Sequence, residues 1–488
     1  MPTQSSTEQS QTYQQLHRPP GDFESRSDYL DHELTIMRPR RWALNLPGRD
    51  FRFEWEDMVP ALAGTIGISV MYSAVMSSWA AEFGLDAAFI IENVRVEMLV
   101  SGIIFGIFCS GFFNPRANVG GNHGPMIPLI GMIAAAGAHP LALAILIGIF
   151  GLVLAITRGG SRLVMLTGEG VAGGLLVFLG LSGAMAQIGG LLAWSKEVGV
   201  GYAGLVSLGV NIVIYALLAR SGKRWLAIPL CAVVSLLICL GLGAPFHFET
   251  APGLPNMNPA YWWGADSGWH LGLPTVQHFI ASLPFAILAV AMWSPDFLGH
   301  RIFQELNYPR GSQNVVMNVD DTVTTCSIRQ MLGTVCGGGN VTSSWGTLLI
   351  PAAIAKRPIP GAAILLGVMC TVFAVSGYMI DLAVWLPVMS VALLVGVFLP
   401  LLEAGLQIVK DTKDAQAAGI CIFASAVVNP VLGWSITMLL DNNGLIGDRE
   451  RGARLGVVDR LVIPGGAFVI CTLSMAAVGM LPGIPALV

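Results

Sequence analysis

The stretch Asn114-Pro-Arg-Ala-Asn-Val-Gly-Gly-Asn-His-Gly-Pro-Met-Ile-Pro128 has a counterpart in Gly337-Gly-Gly-Asn-Val-Thr-Ser-Ser-Trp-Gly-Thr-Leu-Leu-Ile-Pro351. Asn118-Val119, Gly124 and Ile127-Pro128 recur as Asn340-Val341, Gly346 and Ile350-Pro351, an offset of about 222 residues. Both stretches are rich in Gly, Asn, Ser and Pro, yet sit between long apolar runs. Neither reads as a helix that faces lipid from its first residue, because irregular backbone survives at membrane depth only where protein or a cavity covers it. Each is read instead as a short extended piece, 118–122 or 338–340, followed by a short helix whose free N–H groups and positive dipole end face the bilayer centre. Two such ends meeting head to head make an anion site.

The rest of the chain calls for a membrane. Of 488 residues, 54% are hydrophobic and 11% charged, the mean hydropathy is +0.67, and 17 of the 56 charged residues fall in the first 57 positions. Such a body excludes a water-soluble globule. A net charge of −4 offers no basic footprint for nucleic acid. Eight cysteines without paired spacing exclude a disulfide framework and a zinc ribbon. No phosphate-binding loop, His-Glu-x-x-His helix or nucleophile elbow is present, so an enzyme has no support.

A hydrocarbon core ~30 Å thick takes ~20 apolar residues per helix. Spans are expected near 58–80, 96–113, 123–137, 140–156, 166–186, 203–219 and 224–244, then near 276–298, 314–334, 342–355, 360–378, 382–407, 415–439 and 456–481. The expected fold is an all-α polytopic membrane protein of fourteen transmembrane segments, the third and tenth broken. It has a cytoplasmic arm at 1–57, a first repeat at 58–244, an external loop at 245–275 and a second repeat at 276–488. Trp262, Trp263 and Trp269 in the loop read as an aromatic belt. Ala144-Ile-Leu-Ile-Gly148 recurs as Ala363-Ile-Leu-Leu-Gly367, and Pro60 as Pro284, at similar offsets. Halves with an odd number of spans each make an inverted repeat.

The polar arm lacks the apolar core of a signal peptide and carries a short helix at 25–37. Its closing cluster of Arg38, Arg40, Arg41, Arg49 and Arg52 reads as a topology anchor that keeps the N-terminus in the cytoplasm. Arg158 and Arg162, Arg220 with Lys223 and Arg224, Arg301 and Arg310, Lys356 and Arg357, and Lys410 and Lys413 agree with that orientation. The loop with Arg449, Arg451 and Arg454 does not, because the span count puts it outside.

Asp296 lies in the eighth span, where a carboxylate is costly and marks a functional site. Pro295 leaves the Ala291 carbonyl unbonded beside it. With the hydroxyls of Ser294, Thr342 and Ser343, the carboxylate makes a hard-oxygen site for a sodium ion or a proton. A place at the cytoplasmic interface, just before Gly299, His300 and Arg301, is the competing reading for Asp296. Asn122, His123, Gly124, Asn340, Val341, Thr342 and Ser343 are expected to frame the solute, with Met292, Trp293 and Trp345 shaping its pocket. Asp321 and Arg329, two turns apart on the ninth span, read as paired with each other or solvated. Glu403 faces either the cavity or the cytoplasmic end, and Arg116 either attracts anions or only sets topology.

Leu283-Pro284 through Gly299-His300, the approach Gly337 to Gly346, and Leu386-Pro387 to Lys410 together resemble the nucleobase-cation symporter family, typified by the bacterial uracil permease, with its relatives the sulfate permeases and bicarbonate transporters. In the arm, Leu16-His-Arg-Pro, Phe23-Glu-Ser-Arg and Asp28-Tyr-Leu-Asp-His-Glu-Leu are similar to a bacterial membrane family. The resemblance implies a core domain of spans 1–4 and 8–11, a gate domain of spans 5–7 and 12–14, and a solute between them. It also implies elevator-type movement, the bacterial inner membrane and a homodimer. In the nucleobase branch a second carboxylate stands just inside the tenth span, where this chain has Gly346-Thr347. That difference favours an anion. The expected function is therefore secondary active transport of a small anion such as sulfate, bicarbonate or a small carboxylate, coupled to sodium or a proton, with no cofactor beyond a bound sodium ion. A nucleobase or xanthine permease, and a membrane protein that binds anions without moving them, are the alternatives.

Overall fold

The computed structural model describes residues 12–339, 341–409 and 412–486. Its main helices are α1 (Arg26–Ile36), α2 (Met58–Phe83), α3 (Ala87–Phe113), α4 (Gly124–Ala135), α5 (Pro140–Ile156), α6 (Glu169–Glu197), α7 (Ala203–Arg220) and α8 (Ala227–Gly241). After the loop come α9 (Val276–Asn307), α10 (Val319–Val335), α11 (Gly346–Ile354), α12 (Ile359–Ser376), α13 (Leu386–Ile408), α14 (Thr412–Val427), α15 (Pro430–Asn442) and α16 (Val458–Ala477). The second helix shows how the sequence sets these lengths. It begins where Asp57 closes the charged arm and stops at Gly84, whose φ of +65° is the left-handed conformation that ends helices. Its 26 residues rise roughly 39 Å, enough to cross the hydrocarbon. Among the described residues, nine helices are long and apolar enough to cross a membrane, and three apolar helices are shorter.

Helices α2–α5 and α9–α12 pack on one another as one body, and α6–α8 with α13–α16 as another. Contacts of α2 with α8 and α13, and of α9 with α16, join the two. The expected third and tenth spans are the short helices α4 and α11, each preceded by non-helical backbone; of the extended piece expected at 338–340, Asn340 lies outside the described residues. The expected thirteenth span is a hairpin of two half-helices. Pro430 cannot continue α14, and Asn429 caps α15 by accepting from the Leu432 N–H at 2.9 Å. The Gly447 N–H donates to Gln416 at 3.2 Å, which returns the chain to the end where α14 began. This turn corrects the misplaced arginine loop. Arg451 reaches Asn442 (2.7 Å) and Asp441 (3.2 Å), and Arg162 pairs with Asp459 at 2.6 Å, so these charges share one end of the molecule. Lys410 and the Lys413 side chain lie outside the described residues.

The aromatic-belt reading of the 245–275 loop is also corrected. Trp262 and Trp269 are fully buried, not interfacial. The indole N–H of Trp269 donates to the Gly337 carbonyl at 2.6 Å, and its ring packs edge-on against Phe89 and Trp79. A tryptophan can be buried this deeply because its one donor finds a backbone acceptor.

The arm is more than a string of charges. Ser25 caps α1, and Tyr29, Leu30 and Leu34 are buried, as their spacing predicts. Arg26 pairs with Glu54 and Glu56 at 2.6 Å each, Arg41 with Asp321 at 2.6 Å, Lys356 with Asp31 at 2.5 Å, and Arg357 with Asp57 at 2.9 Å. Burial raises the Glu54 carboxyl, but the Tyr29 hydroxyl and Arg26 outweigh it and hold it below its ordinary value. A carboxylate so depressed stabilises docking above its unfolded value and loses that contribution as pH falls through its folded one. Hydrogen exchange of α1, corrected for intrinsic rates, is therefore expected to stay slow at neutral pH and accelerate only once the pH falls below the ordinary carboxylate range. Glu54→Gln should show the fast exchange already at pH 7.

Candidate functional site

The two extended pieces cross. Asn122 and Thr342 form an isolated antiparallel bridge, the His123 N–H donates to the Val341 carbonyl at 2.5 Å, and the Ser343 N–H donates to the Gly121 carbonyl at 2.9 Å. Contact this close dictates the glycines. A Cβ on Gly120 would fall on the Ser343 carbonyl oxygen, one on Gly338 on the Glu97 carboxylate, and one on Gly339 on the Trp269 ring. Gly120→Ala is expected to abolish the crossing, since the obstacle is backbone and cannot rotate away. The measurement is thermal unfolding of the purified protein, with a lowered midpoint as the outcome and an unchanged midpoint as the result against it.

Other backbone groups near the crossing are tied down as well. The Thr342 N–H donates to Gln330 at 2.5 Å, the Gly339 carbonyl accepts from Trp79 at 3.1 Å, and the Asn122 amide donates to the Met71 carbonyl at 2.8 Å. The Gly346 N–H is used by the Ser344 carbonyl. The pool of helix-end donors is thus narrower than the sequence suggests. The N–H groups of His123, Thr342, Ser343 and Gly346 are occupied within the protein, and Pro125 has none. Those of Gly124 and Thr347 stand in the first turns of α4 and α11, where a helix supplies no partner.

Asp296 reaches this crossing. Its Oδ2 accepts from the Ser343 hydroxyl at 2.8 Å, and its Oδ1 lies 3.6 Å from His300 Nε2. His300 Nδ1 in turn lies 2.5 Å from the Ser344 hydroxyl. With a side chain 32% exposed, the carboxylate is bonded to the crossing and open on one side. The helix carrying it runs on to Asn307, so His300 stands one turn beyond Asp296 on the same face. His300 was the missed residue; its i, i+4 spacing from Asp296 was the available signal.

The remaining expected residues divide. His123 is 1% exposed, and neither ring nitrogen has a partner among the described residues; Asn122 Oδ1 and Thr347 Oγ1 also lack one. Met292 is buried. Trp293 packs on Gly151 of α5 and Trp345 on Gly106 and Gly121, both with unpartnered indole N–H groups. Gly124 meets Val397 of α13, and a crevice between the two bodies is lined by Gly67, Met71 and Thr347 on one side and Ile228, Leu393 and Val397 on the other. Thr342 is not brought to Asp296. Its hydroxyl lies 3.5 Å from the Arg329 guanidinium, a poor neighbour for a cation. Asn340 lies outside the described residues, as do the side chains of Ser294 and Pro295. No group of three or more His, Cys, Asp or Glu side chains among the described residues is placed to hold a metal ion.

Behind the crossing lies an ion pair that corrects the expected pairing on α10. Arg329 is fully buried and bonds to Glu97 of α3, to the Tyr72 hydroxyl at 3.0 Å and to Ser101 at 2.9 Å. Asp321 instead takes Arg41 and the Asn114 amide, the latter at 3.0 Å. Glu403 pairs with Arg224, and Arg116 donates to the Val316 carbonyl at 3.1 Å, a structural tie.

A family model described as "Protein of unknown function (DUF3360)" matches residues 4–488. No curated protein matches the chain. Among solved structures it is similar to SLC26A9, at 12% identity and a TM-score of 0.52, covering 79% of this chain and 66% of that one. It is likewise similar to the murine Solute Carrier 26 family member A9 in its inward-facing state, at 12% identity and a TM-score of 0.50, covering 78% and 67%. The transmembrane domain of the cyanobacterial bicarbonate transporter BicA aligns at 12% identity and a TM-score of 0.49, over 79% and 98%. The chain thus spans just under two thirds of the first of these relatives. At such identity the likeness shows the fold alone: an all-helical membrane architecture shared with SLC26A9, as the resemblance of the crossing segments implies.

Proposed function

The chain belongs to the DUF3360 family, and from its geometry we propose that it is a secondary active transporter of a small anion. One observation carries this reading: the bonded crossing of the two broken segments, with Asp296 fastened to it through Ser343 and the first turns of two helices starting beside it. Irregular backbone at membrane depth is confined to places that protein covers or a cavity borders, and in carriers broken helices of this kind frame the solute. The murine neighbour is described as an anion transporter, which agrees with a site that lacks a carboxylate at Gly346-Thr347.

In the proposed cycle the body that holds the crossing, a core of α2–α5 and α9–α12, moves against a gate of α6–α8 and α13–α16. The crevice between them opens to either side in turn. With the half-helix hairpin read as the thirteenth segment, the chain has fourteen segments in two halves that are inverted copies up to that hairpin, with the arm in the cytoplasm of a bacterial cell, where its arginines favour it. The anion binds at the first turns of α4 and α11 beside His123. The coupled cation is taken by Asp296 with His300 and Ser343. Among the described side chains, one carboxylate, one hydroxyl and one imidazole face this point, a set poorer in oxygen than a hard cation takes, which favours a proton over sodium.

The test is uptake into proteoliposomes of sulfate, bicarbonate and small dicarboxylates beside uracil and xanthine. Saturable anion flux is the expected result. Nucleobase flux would select the permease reading, and saturable binding without counterflow would select the non-transporting one.

A further inference from the structure

Between α1 and α2 the chain turns at Arg40-Arg41-Trp42-Ala43-Leu44-Asn45. Asn45 is buried and pins the turn: its Oδ1 accepts from the Arg40 N–H at 2.8 Å, and its Nδ2 donates to the carbonyls of Arg40, Ala43 and Phe112 at 2.9, 2.6 and 3.1 Å. The N–H groups of Ala43 and Asn45 donate to Phe113 and Phe112 at 3.0 and 2.8 Å. The turn is therefore fastened to the last residues of α3, a membrane helix with exposed Ile104, Phe108 and Phe113. So constrained, Trp42 takes a φ of +54°, a left-handed conformation that a bulky side chain seldom adopts and that surrounding bonds must enforce.

This strained turn displays a particular surface. Trp42, Leu44, Phe53 and Trp55 are exposed apolar side chains, and Arg40, Arg49 and Arg52 are exposed among them. The guanidinium groups of Arg40 and Arg49 both donate to the Leu44 carbonyl and so meet at one point, with Arg49 also bonded to Asp50 at 2.7 Å. Of the acidic neighbours, Asp50 pairs with Arg49 at 2.6 Å and Glu54 is engaged by Arg26 and Tyr29, and each side chain is only 14% exposed. The patch is continuous with the ends of two membrane helices, Phe113 of α3 and Trp55 before α2. Indoles prefer the headgroup level, and outward arginines attract an anionic leaflet.

We propose that residues 40–55 form a docking surface for anionic phospholipid, with Trp42 and Trp55 at headgroup depth, Arg40 gripping the headgroup phosphate and Arg49 joining it by exchanging Asp50 for that phosphate. The inference holds whatever solute the crossing carries. Because Asp31 and Asp57, on either side of this segment, are salt-bridged to Lys356 and Arg357, the bound lipid is tied to the body that holds the crossing.

The test uses the full chain in vesicles. The chain has 12 tryptophans, so the difference in emission between wild type and Trp42→Phe/Trp55→Phe isolates the two of interest. Brominated phosphatidylglycerol and brominated phosphatidylcholine are then compared as quenchers at equal mole fraction. The phosphatidylglycerol is expected to quench the isolated emission more strongly, reflecting enrichment on the order of fivefold per guanidinium. R40Q/R49Q should remove the difference and R40K/R49K keep it; R40Q and R49Q singly, each reducing it, serve if the double variant does not fold. Equal quenching by the two lipids in wild type, a preference that survives R40Q/R49Q, or displacement by millimolar inorganic phosphate would each overturn the proposal.

Discussion

Asp296→Asn is expected to cut anion flux into proteoliposomes by roughly 10–150-fold, the range that corresponds to losing ~1.5–3 kcal/mol of charge-assisted interaction with the coupled cation. Asparagine is nearly isosteric and still accepts from Ser343, so the fold and the crossing should persist and the thermal midpoint should hold. What disappears is the negative charge that the coupled cation neutralises. Flux in the variant should therefore become independent of the proton gradient as well as smaller. His300→Gln separates the candidate ions. If a proton is carried between imidazole and carboxylate, this variant loses pH dependence while a sodium gradient has no effect on either protein. Sodium-driven flux that survives in His300→Gln but not in Asp296→Asn would assign the site to sodium. Unchanged pH and sodium dependence in Asp296→Asn would remove Asp296 from coupling altogether.

The membrane character and the broken segments were legible because their signals are local. Apolar length, the absence of charge and the Gly, Asn and Pro content of 114–128 and 337–351 fix the local backbone whatever the rest of the chain does. That the segments hydrogen-bond to each other is a tertiary fact. Only the glycines at 120, 338 and 339 hinted at it, by leaving room for something to approach. Asp296 was legible as a charge in an apolar run, and its partner His300 was obscured by a helix that continues past the expected span end. The pairing of Arg329 was misread because same-helix spacing supplies candidates only within one element, while Glu97 comes from a helix more than two hundred residues away in sequence. The hairpin at Asn429-Pro430 looked like one span because an apolar sequence of that length does not distinguish a crossing from a return. The charges of Arg449, Arg451 and Arg454 were the evidence that it returned, and the span count overrode them.

Glu97→Gln should be the most destabilising substitution among the polar side chains behind the crossing. It keeps the shape of the side chain but leaves the Arg329 guanidinium fully buried without its counter-charge, a loss of ~3–5 kcal/mol when one member of such a pair is removed. Arg329 still donates to the Tyr72 and Ser101 hydroxyls, but neutral hydroxyls do not offset a buried cation. Thermal unfolding of purified protein is expected to show a markedly lowered midpoint. Arg329→Gln on the same background should recover most of it, because removing both charges removes the desolvation cost of each. Flux in the double variant then has a separate meaning. The guanidinium also lies beside the Thr342 hydroxyl at the crossing, so the pair either only braces the second broken segment or also contributes positive potential to the solute site. Restored stability with restored anion flux assigns it bracing alone. Restored stability with a raised KM and an unchanged maximal rate assigns Arg329 to anion attraction, because an interaction equal in ground and transition states changes KM and leaves the maximal rate alone.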